Sequence, residues 1–138
     1  MPLQEGAIVL CFSKIALSEL TLTFDPWDEF KEKIRSKPEY QNLKDEIGQS
    51  GFLDPLLVRE KEGKFIVDTG TQRLMIAREM GEGSLNCFLY GENLEHLLSN
   101  HEFHRIRDKS ELGQYFRNGE VNTLLDILGY LSDGTIQL

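Results

Sequence analysis

The sequence predicts an α/β (α+β) fold, a small mixed sheet with helices packed around it. Two short apolar runs, residues 56–58 and 65–67, flank a charged turn that contains Gly63, and this arrangement is typical of a β-hairpin. Apolar side chains with helical spacing follow at residues 71–80, and residues 85–90 form another apolar run that predicts a buried strand. Strands and a helix in this order indicate a sheet covered by helices.

The first fifty residues are predicted to form two strands and two helices. Residues 7–12 are a short apolar run and predict the first strand. Residues 14–22 alternate between apolar and polar side chains with one break, so they predict a second strand that ends in a bulge or turn. Residues 39–50 predict the second of the two helices, which Gly51 is suited to end.

The first of these helices is predicted to begin at Asp25 or Pro26, since proline is favoured at the first helical position. It ends before Pro38, because the residue that precedes a proline is disfavoured in helical geometry. Three apolar side chains share one face of this helix and are expected to point to the core: Trp27, Phe30 and Ile34.

Residues 92–138 are predicted to form a helical C-terminal extension of a domain that spans residues 1–91. The first part of this segment is polar, with weak helical periodicity, and Ser110 is suited to cap a helix that ends at Arg117. Residues 120–131 carry a broad apolar stripe. Such a helix must lie on the core or on another subunit, so the segment predicts either core packing or a protein partner, self-association included.

Composition restricts the classes of partner. Fifteen basic residues against 23 acidic ones give a formal net charge of −8, which argues against duplex DNA as the partner of this domain. No apolar run is long enough to span a bilayer, and the N-terminus has no signal-peptide pattern, so a cytoplasmic protein with no membrane segment is expected. Cys11 and Cys87 lie in apolar runs and are expected to be buried thiols.

The start of the helix after the hairpin is the leading candidate site. The first turn of a helix has unpaired N–H donors and the positive end of the helix dipole. Gly70 allows a ligand to approach the backbone, and Thr71, Gln72 and Arg73 follow it. Their N–H groups and an exposed Arg73 guanidinium predict an anion site, most often for phosphate, to which Thr69 or Thr71 adds a hydroxyl. The alternative is an ordinary capped helix start whose arginine pairs with a surface carboxylate.

Two aspartates flank this candidate site and are the candidate catalytic residues. Pro55 forces Asp54 into an extended conformation, so its side chain cannot be part of a helix. Either Asp54 or Asp68 would hold Mg²⁺ through water or orient a nucleophile, because magnesium sites combine one or two carboxylates with phosphates. The alternatives are that Asp54 caps a turn and that Asp68 pairs with Arg73 or Lys64.

The order and spacing of these motifs resemble the ParB/sulfiredoxin-like superfamily over residues 14–90. Its members have a Gly-x-x-x-Pro-apolar stretch after a helix, here from Gly51 to Leu56, then a hairpin and a Gly-x-x-Arg sequence at a helix start, here residues 70–73. The resemblance implies a nucleotide triphosphate, ATP or CTP, bound in the cleft between the Pro55 loop and the glycine turn. Mg²⁺, nucleotide hydrolysis and phosphoryl transfer are further implications.

The chain also departs from its apparent relatives. Sulfiredoxins carry their catalytic cysteine at the position of Thr71, and a hydroxyl cannot replace a low-pKa thiolate. Sulfiredoxin activity is therefore excluded. Partitioning proteins usually have Glu-Arg-Arg after the glycine, of which only Arg73 is retained here. Two hypotheses remain: a nucleotide- or phosphate-binding domain, and a non-catalytic protein-interaction module on the same fold. A nuclease is disfavoured by the negative charge.

Overall fold

The computed structural model describes residues 7–51, 54–116 and 122–138. These residues form a mixed six-stranded sheet with helices on both faces. The strands are β1 (Val9–Ala16), β2 (Leu20–Thr21), β3 (Leu56–Lys61), β4 (Lys64–Thr69), β5 (Ser84–Gly91) and β6 (Phe103–Arg105). The α-helices are α1 (Asp28–Arg35), α2 (Pro38–Ser50), α3 (Thr71–Met80), α4 (Leu94–Leu97) and α5 (Asn122–Ser132), and short 3-10 helices cover Leu17–Glu19 and Lys109–Tyr115.

The strand order across the sheet is β2-β4-β3-β5-β1-β6. Strand β3 is antiparallel to β4 and parallel to β5, and β1 is antiparallel to both β5 and β6. The predicted α+β class with a mixed sheet is therefore confirmed. The predicted hairpin is also confirmed: Lys61 pairs with Lys64, and Glu62 and Gly63 both have positive φ, as a two-residue hairpin turn requires.

The first strand differs from its prediction. Residues 7–12 and 14–22 were expected to form separate strands, but β1 continues through Ser13 as far as Ala16. Ser13 is buried because its hydroxyl donates a hydrogen bond to the backbone oxygen of Glu102, at 2.8 Å. A buried serine satisfied by a partner 89 positions away interrupts the apolar pattern without interrupting the strand.

The two faces of the sheet have separate apolar cores. On the first face, α2 and α3 pack on the strands and bury Tyr40, Ile47, Leu74 and Ile76. On the second face, α5 buries Ile127 in a cluster with Leu10, Leu57 and Phe88. Helix α5 therefore packs on the second core through part of its apolar stripe, while Leu94 and Leu98 of the C-terminal segment belong to the first core.

The sequence predicts a helical C-terminal segment, but the segment also contains a strand. Strand β6 pairs with β1 at the edge of the sheet. The helix expected to begin at Ser110 is a 3-10 helix whose N-cap is Asp108, joined to Glu111 in a capping box. Residues 117–121 lie outside the described residues, and they include the predicted end of that helix and the predicted start of the next. None of the described helices is long and apolar enough to cross a membrane.

Helix α1 does not direct its aromatic residues to the core. Trp27 is 62% exposed and Phe30 is 48% exposed, whereas Ile34 packs against the first core. The helix begins at Asp28, so Trp27 is the residue before it and is not held to the helical face. Phe30 contacts the ring of Phe24, with ring centroids 4.8 Å apart.

Asp25 holds the turn between β2 and α1. Its carboxylate accepts hydrogen bonds from the Leu22 N–H and the Arg78 guanidinium, each at 2.7 Å, and pairs with Lys31 at 3.3 Å. Burial alone would raise the pKa of Asp25, but the hydrogen bonds from Arg78 and Leu22 outweigh it and lower the pKa from 3.8 to about 2.

Replacement of Asp25 by asparagine is expected to lower the free energy of unfolding at neutral pH by about 1 kcal/mol, the upper end for a solvent-screened ion pair. The pKa of Asp25 is lower in the folded protein than the unfolded value of 3.8, so its charge stabilises the fold above that pH and the effect is lost as pH falls to about 2. Urea unfolding of the original protein and of the Asp25→Asn variant over this pH range measures the difference in free energy of unfolding. A difference between the two proteins that stays constant with pH would contradict the prediction.

Candidate functional site

The start of α3 is fixed by Gly70, which follows β4 directly. Gly70 has a φ of 102° and a ψ of 27°, a conformation that glycine adopts without steric cost. Its carbonyl accepts the first helical hydrogen bond, from the N–H of Leu74 at 3.1 Å. No side chain caps this helix start, and within the described residues no hydrogen bond is made by the N–H groups of Thr71 or Gln72. Both donors are therefore available to an anion.

These residues surround a hollow of about 230 Å³, called here the α3 hollow. The residues predicted as a binding site from 69 to 73 all line it, together with Leu43 of α2 and Asn122 of α5. Pro55, Asp54 and Asp68, the other predicted site residues, do not line it. The glycine turn and the helix start therefore line one hollow together with residues of α2 and α5, and their role as a binding site stays a prediction.

Arg73 is not exposed, contrary to the expectation from the sequence. Its side chain is buried, with 3% of the residue surface accessible. Its Nη1 donates hydrogen bonds to the backbone oxygens of Asp54 (2.7 Å) and Pro55 (2.9 Å), and its Nη2 donates one to the hydroxyl of Thr123 (3.1 Å). The guanidinium thus joins the Pro55 loop, α3 and α5, and it contributes positive charge to the helix start from inside the protein.

Helix α5 contributes polar residues that sequence reasoning missed. The hydroxyl of Thr69 donates a hydrogen bond to the carboxylate of Asp126, at 2.5 Å. Thr123, Asp126 and Tyr130 are spaced by three and four positions, so they share one face of the helix. That spacing of polar side chains beside an apolar stripe is the signal that could have identified them. Because Thr69 donates to Asp126, its hydroxyl is not the donor that an anion would use.

Asp54 and Asp68 lie on different sides of the proposed cleft. Asp54 is buried beneath the Arg73 guanidinium, which binds its backbone oxygen. One carboxylate oxygen of Asp68 accepts hydrogen bonds from the hydroxyls of Tyr90 (2.7 Å) and Tyr130 (3.0 Å) on the α5 face. Burial, and then the bond to Asp68, raise the pKa of Tyr90. A catalytic role for either aspartate stays a prediction.

Metal and thiol chemistry have little support from the described part of the chain. It contains no group of three or more His, Cys, Asp or Glu side chains placed to hold a metal ion. Cys11 and Cys87 are free and buried, as predicted. Burial raises the pKa of each thiol to about 12, so neither is a reactive thiolate at neutral pH.

No family model matches the chain, and no curated protein is significantly similar to it. Solved structures with a similar fold include sulfiredoxin from Arabidopsis thaliana, at 22% identity and a TM-score of 0.45, over 63% of this chain and 96% of that one. They also include a Pnob8-like ParB-N domain, at 18% identity and a TM-score of 0.46, over 61% of this chain and 31% of that one.

A third similar structure is the C-terminally truncated partitioning protein ParB from Caulobacter crescentus, complexed with CTP-gamma-S. It is 17% identical, with a TM-score of 0.43, over 64% of this chain and 51% of that one. The chain therefore spans about half or less of these ParB chains. Sulfiredoxin and ParB are the two kinds of protein that the sequence motifs resemble. Similarity at this level decides nothing about function, which has to be inferred from the residues of the chain itself.

Proposed function

We propose that the chain binds the phosphate group of a nucleotide, or of another small phosphorylated molecule, in the α3 hollow. The observation that carries the proposal is the uncapped start of α3, where Thr71 and Gln72 line a hollow together with Thr69, Gly70 and Arg73. The N-terminus of a helix carries about half a positive elementary charge, and anions bind there through the backbone. The buried Arg73 cation adds to this positive potential.

The size of the hollow limits how a nucleotide would bind. Its volume of about 230 Å³ accommodates a phosphate group, but sites that enclose whole small molecules are generally about 300–1,000 Å³. A nucleotide would therefore insert a phosphate and leave its base and sugar outside. The sequence resemblance favours ATP or CTP as that nucleotide. Mg²⁺ would then be bound mainly by the phosphates, with Asp54 or Asp68 as the candidate protein ligand.

Binding is the central part of the proposal, and nucleotide hydrolysis or phosphoryl transfer is secondary to it. Neither Asp54 nor Asp68 lines the α3 hollow, and Asp126 places a carboxylate beside Thr69 at its edge. A carboxylate at this position opposes a highly charged anion but can accept a proton or orient water. The fold is therefore suited to a phosphate-operated switch as well as to an enzyme.

The substitution Gln72→Glu tests the proposal. A carboxylate in the first turn repels a bound phosphate, yet it interacts favourably with the helix dipole, so the protein should remain folded. Calorimetric titration with ATP, CTP, GTP and inorganic phosphate, each with and without Mg²⁺, should show saturable binding. The Gln72→Glu variant should weaken that binding roughly tenfold or more, a loss of about 1.4 kcal/mol or more.

The matched control is Gln114→Glu, which adds the same charge at an exposed position on the 3-10 helix. It should bind like the original protein. Flat titrations with a folded protein would reject phosphate binding and favour the protein-interaction module, which the exposure of Trp27 (62%) and of Leu125 on α5 (57%) supports. Those two side chains would then be the first to substitute. If both substitutions weakened phosphate binding equally, the effect would come from the net charge of the protein and not from the position of residue 72.

A further inference from the structure

A second hollow, of about 710 Å³, lies at the other end of β4. The α3 hollow is at the C-terminal end of β4, whereas this one, called here the hairpin groove, is bordered by the β3–β4 turn, the end of β5 and the end of α5. Its volume is in the range of sites that enclose small molecules. It is independent of the phosphate site proposed above.

Arg59 is a cation of the groove whose Nε has no hydrogen-bond acceptor among the described residues. It lines the hollow and is half-buried, and its Nε is shielded from solvent. Among the described residues no ion pair involves Arg59. Since Nε is shielded from solvent, a carboxylate or phosphate in the groove would have to contact the Nη donors of Arg59, whose planar arrangement matches such groups.

Glu60, the carboxylate next to Arg59 in the sequence, also lines the groove, but it is engaged by other contacts. Successive side chains of a strand point to opposite faces, so Glu60 and Arg59 lie on different sides of the sheet. Glu60 accepts a hydrogen bond from the Gly63 N–H at 3.0 Å. Its side chain also packs on Gly91, where an added Cβ would come within 2.6 Å of the Cβ of Glu60. The absence of a side chain at Gly91 therefore leaves room for Glu60 in this position.

Two tyrosine rings form an aromatic wall beside Arg59. Tyr90 is the register partner of Arg59 across the β3–β5 pair, so both side chains lie on the α5 face. The rings of Tyr90 and Tyr130 are 5.3 Å apart at an angle of 39°, and both hydroxyls are held by Asp68. With the hydroxyls fixed in this way, the rings present an apolar surface of defined position to the groove.

We propose that the hairpin groove binds a small aromatic or otherwise apolar monocarboxylate, with its carboxylate on Arg59 and its body against Tyr90 and Tyr130. The groove is also lined by three acidic residues, Glu60, Glu62 and Glu92, with Lys61 as a second cation. This lining disfavours molecules with several negative charges, such as nucleotides, but tolerates a single carboxylate paired with the guanidinium. The expected occupant is therefore chemically distinct from that of the α3 hollow.

Titration with phenylacetate and benzoate, monitored by backbone NMR at each step, tests this assignment. Saturable shifts are expected at Arg59, Tyr90 and Gly91, and the variant Arg59→Gln should weaken binding roughly tenfold or more, since a charge-assisted hydrogen bond is lost. Phenylacetamide, which has the same shape without the charge, should bind as weakly to the original protein as phenylacetate does to the variant.

The control variant is Arg107→Gln, which removes one exposed positive charge outside the groove. It should leave the affinity unchanged. The proposal is overturned by shifts that do not saturate, by equal binding of phenylacetamide, or by full binding in Arg59→Gln. The phenylacetamide comparison uses the original protein, so it decides the question even where Arg59→Gln does not fold. Whether the Gln72→Glu variant loses phosphate binding does not affect the carboxylate titration. The two proposals can therefore fail independently of each other.

Discussion

Replacement of Arg73 by alanine is expected to lower the free energy of unfolding by about 3 kcal/mol, a large share of the stability of a small domain. The guanidinium donates to the backbone oxygens of Asp54 and Pro55 and to the Thr123 hydroxyl, all in a buried position. Alanine removes these three hydrogen bonds and opens a void, although the Pro55 oxygen keeps the hydrogen bond that the Thr123 hydroxyl donates, at 3.1 Å. Each buried polar group left unsatisfied costs about 1–3 kcal/mol.

Arg78→Ala is the matched control, because the same residue type on the same helix makes a solvent-exposed ion pair with Asp25. Exposed pairs contribute about 1 kcal/mol or less. Urea unfolding of the two variants therefore should give clearly different losses. If Arg73→Ala were no more destabilising than Arg78→Ala, the guanidinium would not hold the Pro55 loop and α5 together in solution.

This structural role changes how a binding experiment on Arg73 is interpreted. A variant that unfolds, or that frees the Pro55 loop, would lose phosphate binding even if the arginine never contacted a ligand. An exposed Arg73, as the sequence predicts, could be replaced by alanine without loss of the fold, whereas the buried Arg73 of the structure predicts the opposite. Gln72→Glu is the more informative substitution, since Gln72 is only partly buried and lies on the α3 hollow.

Local signals explain which parts of the fold could be predicted from the sequence. Helix α3 has the predicted bounds, 71 to 80, because glycines with positive φ stand on either side of it. The β3–β4 hairpin has its glycine turn between two short apolar runs. In both elements the residues that set the boundary are adjacent to it in sequence, so short-range chemistry determines the structure.

The errors have a different origin, in contacts between residues distant in sequence. Ser13 is inside a strand because Glu102 satisfies it, and Arg73 is buried because Thr123 lies over it. Neither partner can be inferred from the residues around Ser13 or Arg73. The α3 hollow was accordingly predicted from its backbone half, residues 69–73, while the half contributed by Leu43 and Asn122 depends on how α2 and α5 pack.

Replacement of Gly70 by alanine is expected to lower the free energy of unfolding by about 3 kcal/mol, from two additive causes. At a φ of 102° a side chain is strained, and a Cβ would lie 2.4 Å from Cδ2 of Leu56 and 3.0 Å from Nη2 of Arg73. Leu56 is fully buried and Arg73 is held by its hydrogen bonds, so neither can move away freely. Thermal and urea unfolding at neutral pH measure the loss.

Gly48→Ala is the control for Gly70→Ala, because Gly48 lies within α2 and an added Cβ there meets nothing within 4 Å. That change should raise the stability by about 0.5–1 kcal/mol, since alanine favours the helix and restricts the unfolded chain. Opposite signs for the two variants would show that Gly70 is required by its conformation and its neighbours. A neutral Gly70→Ala would mean that the turn relaxes, and the α3 hollow would then lack the fixed backbone on which phosphate binding depends. Because the new methyl group would press on Arg73, Gly70→Ala and Arg73→Ala combined should destabilise less than their sum.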